Sequence, residues 1–189
     1  MGFLTPEQLL HIRFGKIGCG VRVSERAVFY NPQKIEIGDN SRIDDFTILS
    51  AGSGGIIIGQ HVHIACHSTL IGRGKITLDD YCNLSSRVSI YSSSDDYSGD
   101  FMTNPTIPEK FTNVKHADVY IGRHVIIGCG TVVLPGVSLS NGSGTGALSL
   151  VKSNVPERVM VAGVPAKIIG KRSAKCFDFE EQMKVGIPV

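Results

Sequence analysis

An imidazole titrates near 6.5, so proton transfer at neutral pH is the chemistry that histidine most readily offers, and the chain carries six histidines. One atypical stretch, DDYSGDFMTNPTIPEKFTNVKHAD, has an acid–base group near each end: Asp95 where it departs and His116 where it returns. If that stretch is a loop, its feet bring a carboxylate and an imidazole together. A carboxyl group with an ordinary pKa of about 3.9 is a poor base at neutral pH, and it serves only where burial or a like charge, here Asp96, raises it. His63, beside Ile64, is a third candidate base, and the two histidines suit the role better chemically than Asp95. His11, His61, His67 and His124 read as surface or interface imidazoles. The five cysteines (Cys19, Cys66, Cys82, Cys129 and Cys176) contain no CxxC pair. Cys129 has no neighbouring base in sequence to lower its pKa and reads as a small packing residue.

These groups are held by a repeat of six residues. From Ile121 to Val155 the chain reads IGRHVI, IGCGTV, VLPGVS, LSNGSG, TGALSL, VKSNV, with an aliphatic residue or Thr145 first and a small or β-branched residue fifth. Period six fits neither one helix at 3.6 nor one strand at 2. It fits a coil of short strands with a corner every six residues, three faces to a turn, each turn stacked on the last. The predicted interior residues are Ile17, Val23 and Phe29; Ile37, Ile43 and Leu49; Ile58, Ile64 and Leu70; Leu78, Leu84 and Ile90; Ile121, Ile127 and Val133; Leu139, Thr145 and Val151. Seventeen of the eighteen are apolar, which predicts six rungs over residues 17–155.

Departures from the period all fall between the third sextet of one rung and the first of the next, so one edge of the prism carries every insertion. The largest, residues 95–118, is long enough to be functional, and its Tyr97, Phe101 and Phe111 suit packing against a neighbouring subunit. Residues 1–16 hold a short helix, capped by Thr5 with Pro6 at its first position, that covers the open end of the column. Residues 156–189 form a C-terminal extension in which the repeat stops at Pro156, residues 173–184 make a short exposed helix, and a tail follows.

A net charge of +2 gives no reason to propose a nucleic-acid partner. No apolar run approaches membrane-spanning length, and the N-terminus lacks the charged-then-apolar order of a signal peptide. The reading is a cytoplasmic protein in a reducing compartment.

The phrase VAGVPAKIIGKR, Val161 to Arg172, placed after the last sextets, resembles the ending of the galactoside and maltose O-acetyltransferases of the hexapeptide-repeat family. The resemblance covers roughly residues 17–172. It implies an all-β, left-handed parallel β-helix, a homotrimer with active sites between prisms, and acetyl-CoA lying along the groove without a metal. In that family a histidine follows the last sextet before the long loop; alignment by sextets puts Asp95 there. The resemblance also implies that Cys129, Gly146 and Ala147 admit the pantetheine arm, that Gly163 belongs to the closing turn beside it, and that Lys152, Lys167, Lys171 and Arg172 meet phosphates. Acetylation of a sugar or polysaccharide hydroxyl is the first reading of the function. The alternatives are N-acetylation of a nucleotide-linked amino sugar, for which no separate nucleotide-binding domain precedes the prism; a metal-dependent hydratase like the gamma-class carbonic anhydrases, using His61, His63 and His67; and a non-enzymatic scaffold.

Overall fold

The computed structural model describes residues 2–186. Its core is a three-sided prism, and each side is a sheet of short parallel strands. The first side stacks Lys16–Ile17, Ile35–Ile37, Ile56–Ile58, Ile76–Leu78, Val119–Ile121 and Ser138–Leu139. The second and third sides are built alike, and every step to the equivalent strand passes through the other two sides. The result is a left-handed parallel β-helix. Like residues stack in register: Ile37 lies between Ile17 and Ile58, and Leu78 between Ile58 and Ile121.

Of the eighteen predicted interior residues, sixteen are buried; Ile17 and Phe29, in the first turn, are half-buried. Phe14 closes that end by meeting the Phe29 ring edge-on at 4.9 Å. Helix α1 (Pro6–Ile12) begins in a capping box between Thr5 and Gln8. It buries only Leu9 of its apolar side and leaves Leu10 70% exposed.

The corners follow a rule that the sextets did not disclose. The fourth residue of a sextet takes left-handed φ: Asn40, Phe46, His61, His67, Tyr81, Arg87, His124 and Leu148 all lie between +55° and +62°. That conformation bends the chain sharply and turns the side chain outward, while the fifth residue goes into the interior (Ser41, Val62, Ser68, Cys82, Val88, Val125 and Thr131 are all buried). Stacked corners stack their side chains: His61 lies on Tyr81 at 5.1 Å, Tyr81 on His124 at 5.0 Å, and Phe46 on His67 at 4.9 Å.

The coil runs past Pro156, where the sextets had suggested that it ends. Val155 bridges to Leu139, and Val159–Ala162 pairs in parallel with Gly144–Thr145, so six complete turns are followed by the start of a seventh. The chain then reverses, and Lys167–Lys171 returns antiparallel to Val159–Ala162. Helix α2 (Lys175–Lys184) is not simply exposed. Its Glu180, 3% exposed, is held by Arg123, His124 and Lys184, and Phe177 meets the His124 ring edge-on at 4.6 Å. Residues 187–189, the end of the predicted tail, lie outside the described residues.

Candidate active site

The long insertion leaves and re-enters the prism over fixed feet. Buried Ser92 donates its hydroxyl to the Gly74 carbonyl, Ala117 N–H donates to Ser92 O, and Asp118 accepts from the Lys75 N–H. Ser93–Ser94 then pairs antiparallel with Lys115–His116. Just beyond, the Asp96 carboxylate accepts from the Ser98 N–H at 2.7 Å, from the Ser98 hydroxyl and from the Asn113 amide at 2.8 Å. Those hydrogen bonds, Ser98's foremost, hold the Asp96 carboxyl below the usual carboxylate range. Asp96 is thus the clasp of the loop.

The loop and the prism enclose an open cleft of about 610 Å³ lined by Arg73, Ser93, Asp95, Ile107, Asn113 and His116, among others. The Asp95 side chain is exposed and has no partner among the described residues. His116 Nδ1 lies 2.8 Å from the Ser93 hydroxyl, and its Nε2 has no partner among the described residues. The two groups predicted at the loop feet therefore share one cleft.

His63 is elsewhere. It lies on the second side, in a row with Arg42 and Asn83. Its Nε2 is 2.9 Å from Asp44 and its Nδ1 3.1 Å from the Asn83 amide oxygen, so neither ring nitrogen is free to take a proton from a substrate. Burial pushes the Asp44 carboxyl up, but Arg42, at 2.6 Å, and His63 together outweigh it and hold the group below its ordinary value. His61 and His67 face their own aromatic partners. Among the described residues no three His, Cys, Asp or Glu side chains stand together so as to hold a metal ion.

The predicted cofactor residues divide in two. Cys129, Ala147 and Gly163 occupy the third position of successive corners and are exposed. Lys152 and Lys167 line a second cleft of about 400 Å³ with Asn154, Ala166 and Ile168. Lys171 is exposed at the end of the returning strand. Among the described residues the ammonium groups of Lys152 and Lys167 have no ion-pair partner. Gly146 and Arg172 have structural work as well. A Cβ on Gly146 would lie 2.9 Å from the Ala162 Cβ, so glycine lets the seventh turn pack. Arg172 Nη1 donates to the carbonyls of His124, Gly142 and Ser143 at 3.1, 3.0 and 2.7 Å, which holds it against the corner.

Protein-family models give no match to the chain. Curated proteins do. Over 184 residues the chain is 48% identical to the dTDP-4-amino-4,6-dideoxy-D-glucose acyltransferase of Escherichia coli, covering 97% of this chain and 96% of that protein. It belongs to the hexapeptide-repeat acyltransferases. The galactoside O-acetyltransferase of Lactococcus lactis is 29% identical over 147 residues, 77% of this acyltransferase and 66% of its own length. Among solved structures, AntD, an N-acyltransferase from Bacillus cereus, superposes with a TM-score of 0.95 and 37% identity over 99% of this chain and 100% of its own, and was solved with dTDP and coenzyme A. AntD has also been solved with 3-hydroxybutyryl-CoA, and with dTDP-4-amino-4,6-dideoxyglucose. Its crystallised variants replace one aspartate, or a serine ten residues before it.

This acyltransferase has two serine–aspartate pairs at that spacing in sequence, Ser85 with Asp95 and Ser86 with Asp96, the aspartates at the loop and the serines at the preceding corner. Asp96 is engaged by Ser98 and Asn113, and the Ser86 hydroxyl by the Cys66 thiol. Ser85 and Asp95 keep free side chains among the described residues. Ser85 was not singled out in the sequence, because a serine in the second place of a sextet looks like any corner residue.

Proposed function

We propose that this acyltransferase, whose family acts on sugar precursors, transfers an acyl group from acetyl-CoA or a longer acyl-CoA to the amino group of a nucleotide-linked amino sugar. The observation that carries the reading is the unpaired carboxylate of Asp95 at the loop foot, where the sugar O-acetyltransferases keep a histidine. A hydroxyl must shed a very weakly acidic proton as it attacks, which calls for an imidazole. An amine attacks through the lone pair of its neutral form, and its N–H becomes strongly acidic only as the nitrogen bonds to carbon, so a carboxylate can take the proton at that stage where it could not take one from a hydroxyl beforehand. The nitrogen bonds to the thioester carbonyl carbon, Asp95 takes the proton that this attack makes acidic, and the carbon–sulfur bond breaks as the leaving thiolate receives that proton. The likeness to AntD over 99% of this chain supports a nucleotide-linked acceptor.

The site is completed by a second subunit. Ser85 follows the strand Asn83–Leu84 on the second side and Asp95 follows Ser89–Tyr91 on the third, so one whole side of the prism separates them within a chain. That side presents an uncharged row of Val28, Ile48, Thr69, Ser89 and Val132, whereas the second side presents Arg22, Arg42 and His63. A neighbour packed on the uncharged side sets its Ser85 hydroxyl near Asp95, where it can donate to the oxygen that gains charge in the transition state. Three copies around an axis satisfy every such face.

The test is a product analysis with acetyl-CoA. dTDP-4-amino-4,6-dideoxyglucose should give an amide, and dTDP-glucose and a galactoside should give no ester. An ester on the galactoside with no amide on the amino sugar would overturn the reading in favour of O-acetylation.

A further inference from the structure

Arg73 lines the same cleft as Asp95 but has no part in the proton transfer. Its backbone is fixed, because its N–H donates to the Ser93 hydroxyl at 2.7 Å and its carbonyl accepts from Gly54 N–H at 2.9 Å. Its guanidinium, by contrast, is tied among the described residues only to Glu109 on the loop, Nη2 to Oε1 at 3.1 Å, with the side chains 56% and 83% exposed. An ion pair so exposed contributes little. A diphosphate presents a guanidinium with more charge and with oxygens at bidentate spacing, a stronger partner than one solvated carboxylate. The cleft, at about 610 Å³, is well above the volume of one pyranose ring and within the ~300–1,000 Å³ of sites that enclose larger ligands.

We propose that Arg73 anchors the diphosphate of the nucleotide-linked acceptor, exchanging Glu109 for the substrate's phosphate oxygens as the cleft fills. The inference rests on the nucleotide-sugar reading and adds the location of the anionic part of the acceptor. It also gives Glu109 a use: in the empty cleft it holds the guanidinium in place, and it competes with the incoming anion.

The experiment is calorimetric titration of the full-length protein with dTDP and, separately, with coenzyme A. Arg73→Ala should weaken dTDP binding roughly 10- to 100-fold, the loss expected for one charge-assisted pair, with coenzyme A binding unchanged as the control for folding. Arg73→Lys should fall between Arg73→Ala and the wild type, because it keeps charge but not the fork. Glu109→Gln should bind dTDP several-fold more tightly than the wild type by removing the competitor. Equal dTDP affinity in wild type and Arg73→Ala would overturn the anchor and leave the nucleotide-sugar reading standing. A wild-type protein that binds coenzyme A but no dTDP would overturn both.

Discussion

Asp95→Asn keeps the shape of the side chain and removes its ability to take a proton, so it separates chemistry from binding. We expect turnover on an amino-sugar acceptor to fall about 10²- to 10⁴-fold, the usual contribution of a positioned base, while coenzyme A affinity is retained. His116→Gln should cost far less, because the imidazole already engages Ser93 and is one cleft wall among several. If steady-state kinetics gave the reverse ranking, His116 would be the base. Asp95 and His116 were legible in the sequence because counting sextets finds the two ends of an insertion. Arg73 was not, because it sits in an ordinary place on a short turn and only the fold shows that it lines the cleft; Ser85 was not, because it sits on a corner like any other, and the serine replaced in AntD is what draws attention to it. The hydrogen bonds of Arg172 were hidden for a related reason: a basic phrase reveals its charge but not the three carbonyls gathered beneath it.

At the scale of the element, the sextet showed what goes inside but not how the chain turns. Left-handed φ at the fourth position favours Gly, Asn and His over β-branched residues, and this chain places Asn40, His61, His67 and His124 there. Exposed Arg87, at φ +62°, offers a clean test. Arg87→Val should destabilise by about 1–2 kcal/mol, the cost of forcing a left-handed conformation, and Arg87→Asn should cost much less, as chemical denaturation would show. Helix α2 gives a second test. Burial first, then the cations Arg123, Arg172 and Lys184, hold His124 below its ordinary value of 6.5 against the pull of Asp80. The neutral ring then donates to Glu180 at 2.6 Å. A lowered imidazole pKa in the fold means that the unfolded chain binds more protons, so the contribution is complete above 6.5 and is lost as pH falls below it. Melting temperature and the hydrogen-exchange protection of α2 should fall on acidification from about pH 7 toward 5, less so in His124→Asn. A pH-independent α2 would show that Glu180 alone sets the docking.

For the whole molecule, the prism, its insertion edge and its interior column were legible because repetition multiplies a weak signal. The seventh turn was not, since Val159–Ala162 pairs by backbone register without a sextet behind it. Nor does a single sequence show that its own Ser85 and Asp95 stand a full prism side apart, the separation from which we propose a site shared between copies. The most direct test of that claim mixes two inactive variants, Ser85→Ala and Asp95→Asn, by joint unfolding and refolding, and measures amide formation on dTDP-4-amino-4,6-dideoxyglucose. A trimer containing both variants has one site with an intact serine from one subunit and an intact aspartate from its neighbour. Random mixing makes about three quarters of the trimers mixed, so activity should return to about a quarter of the wild-type rate. No recovery above the separate variants, in trimers shown to have exchanged subunits, would contradict a site shared between copies.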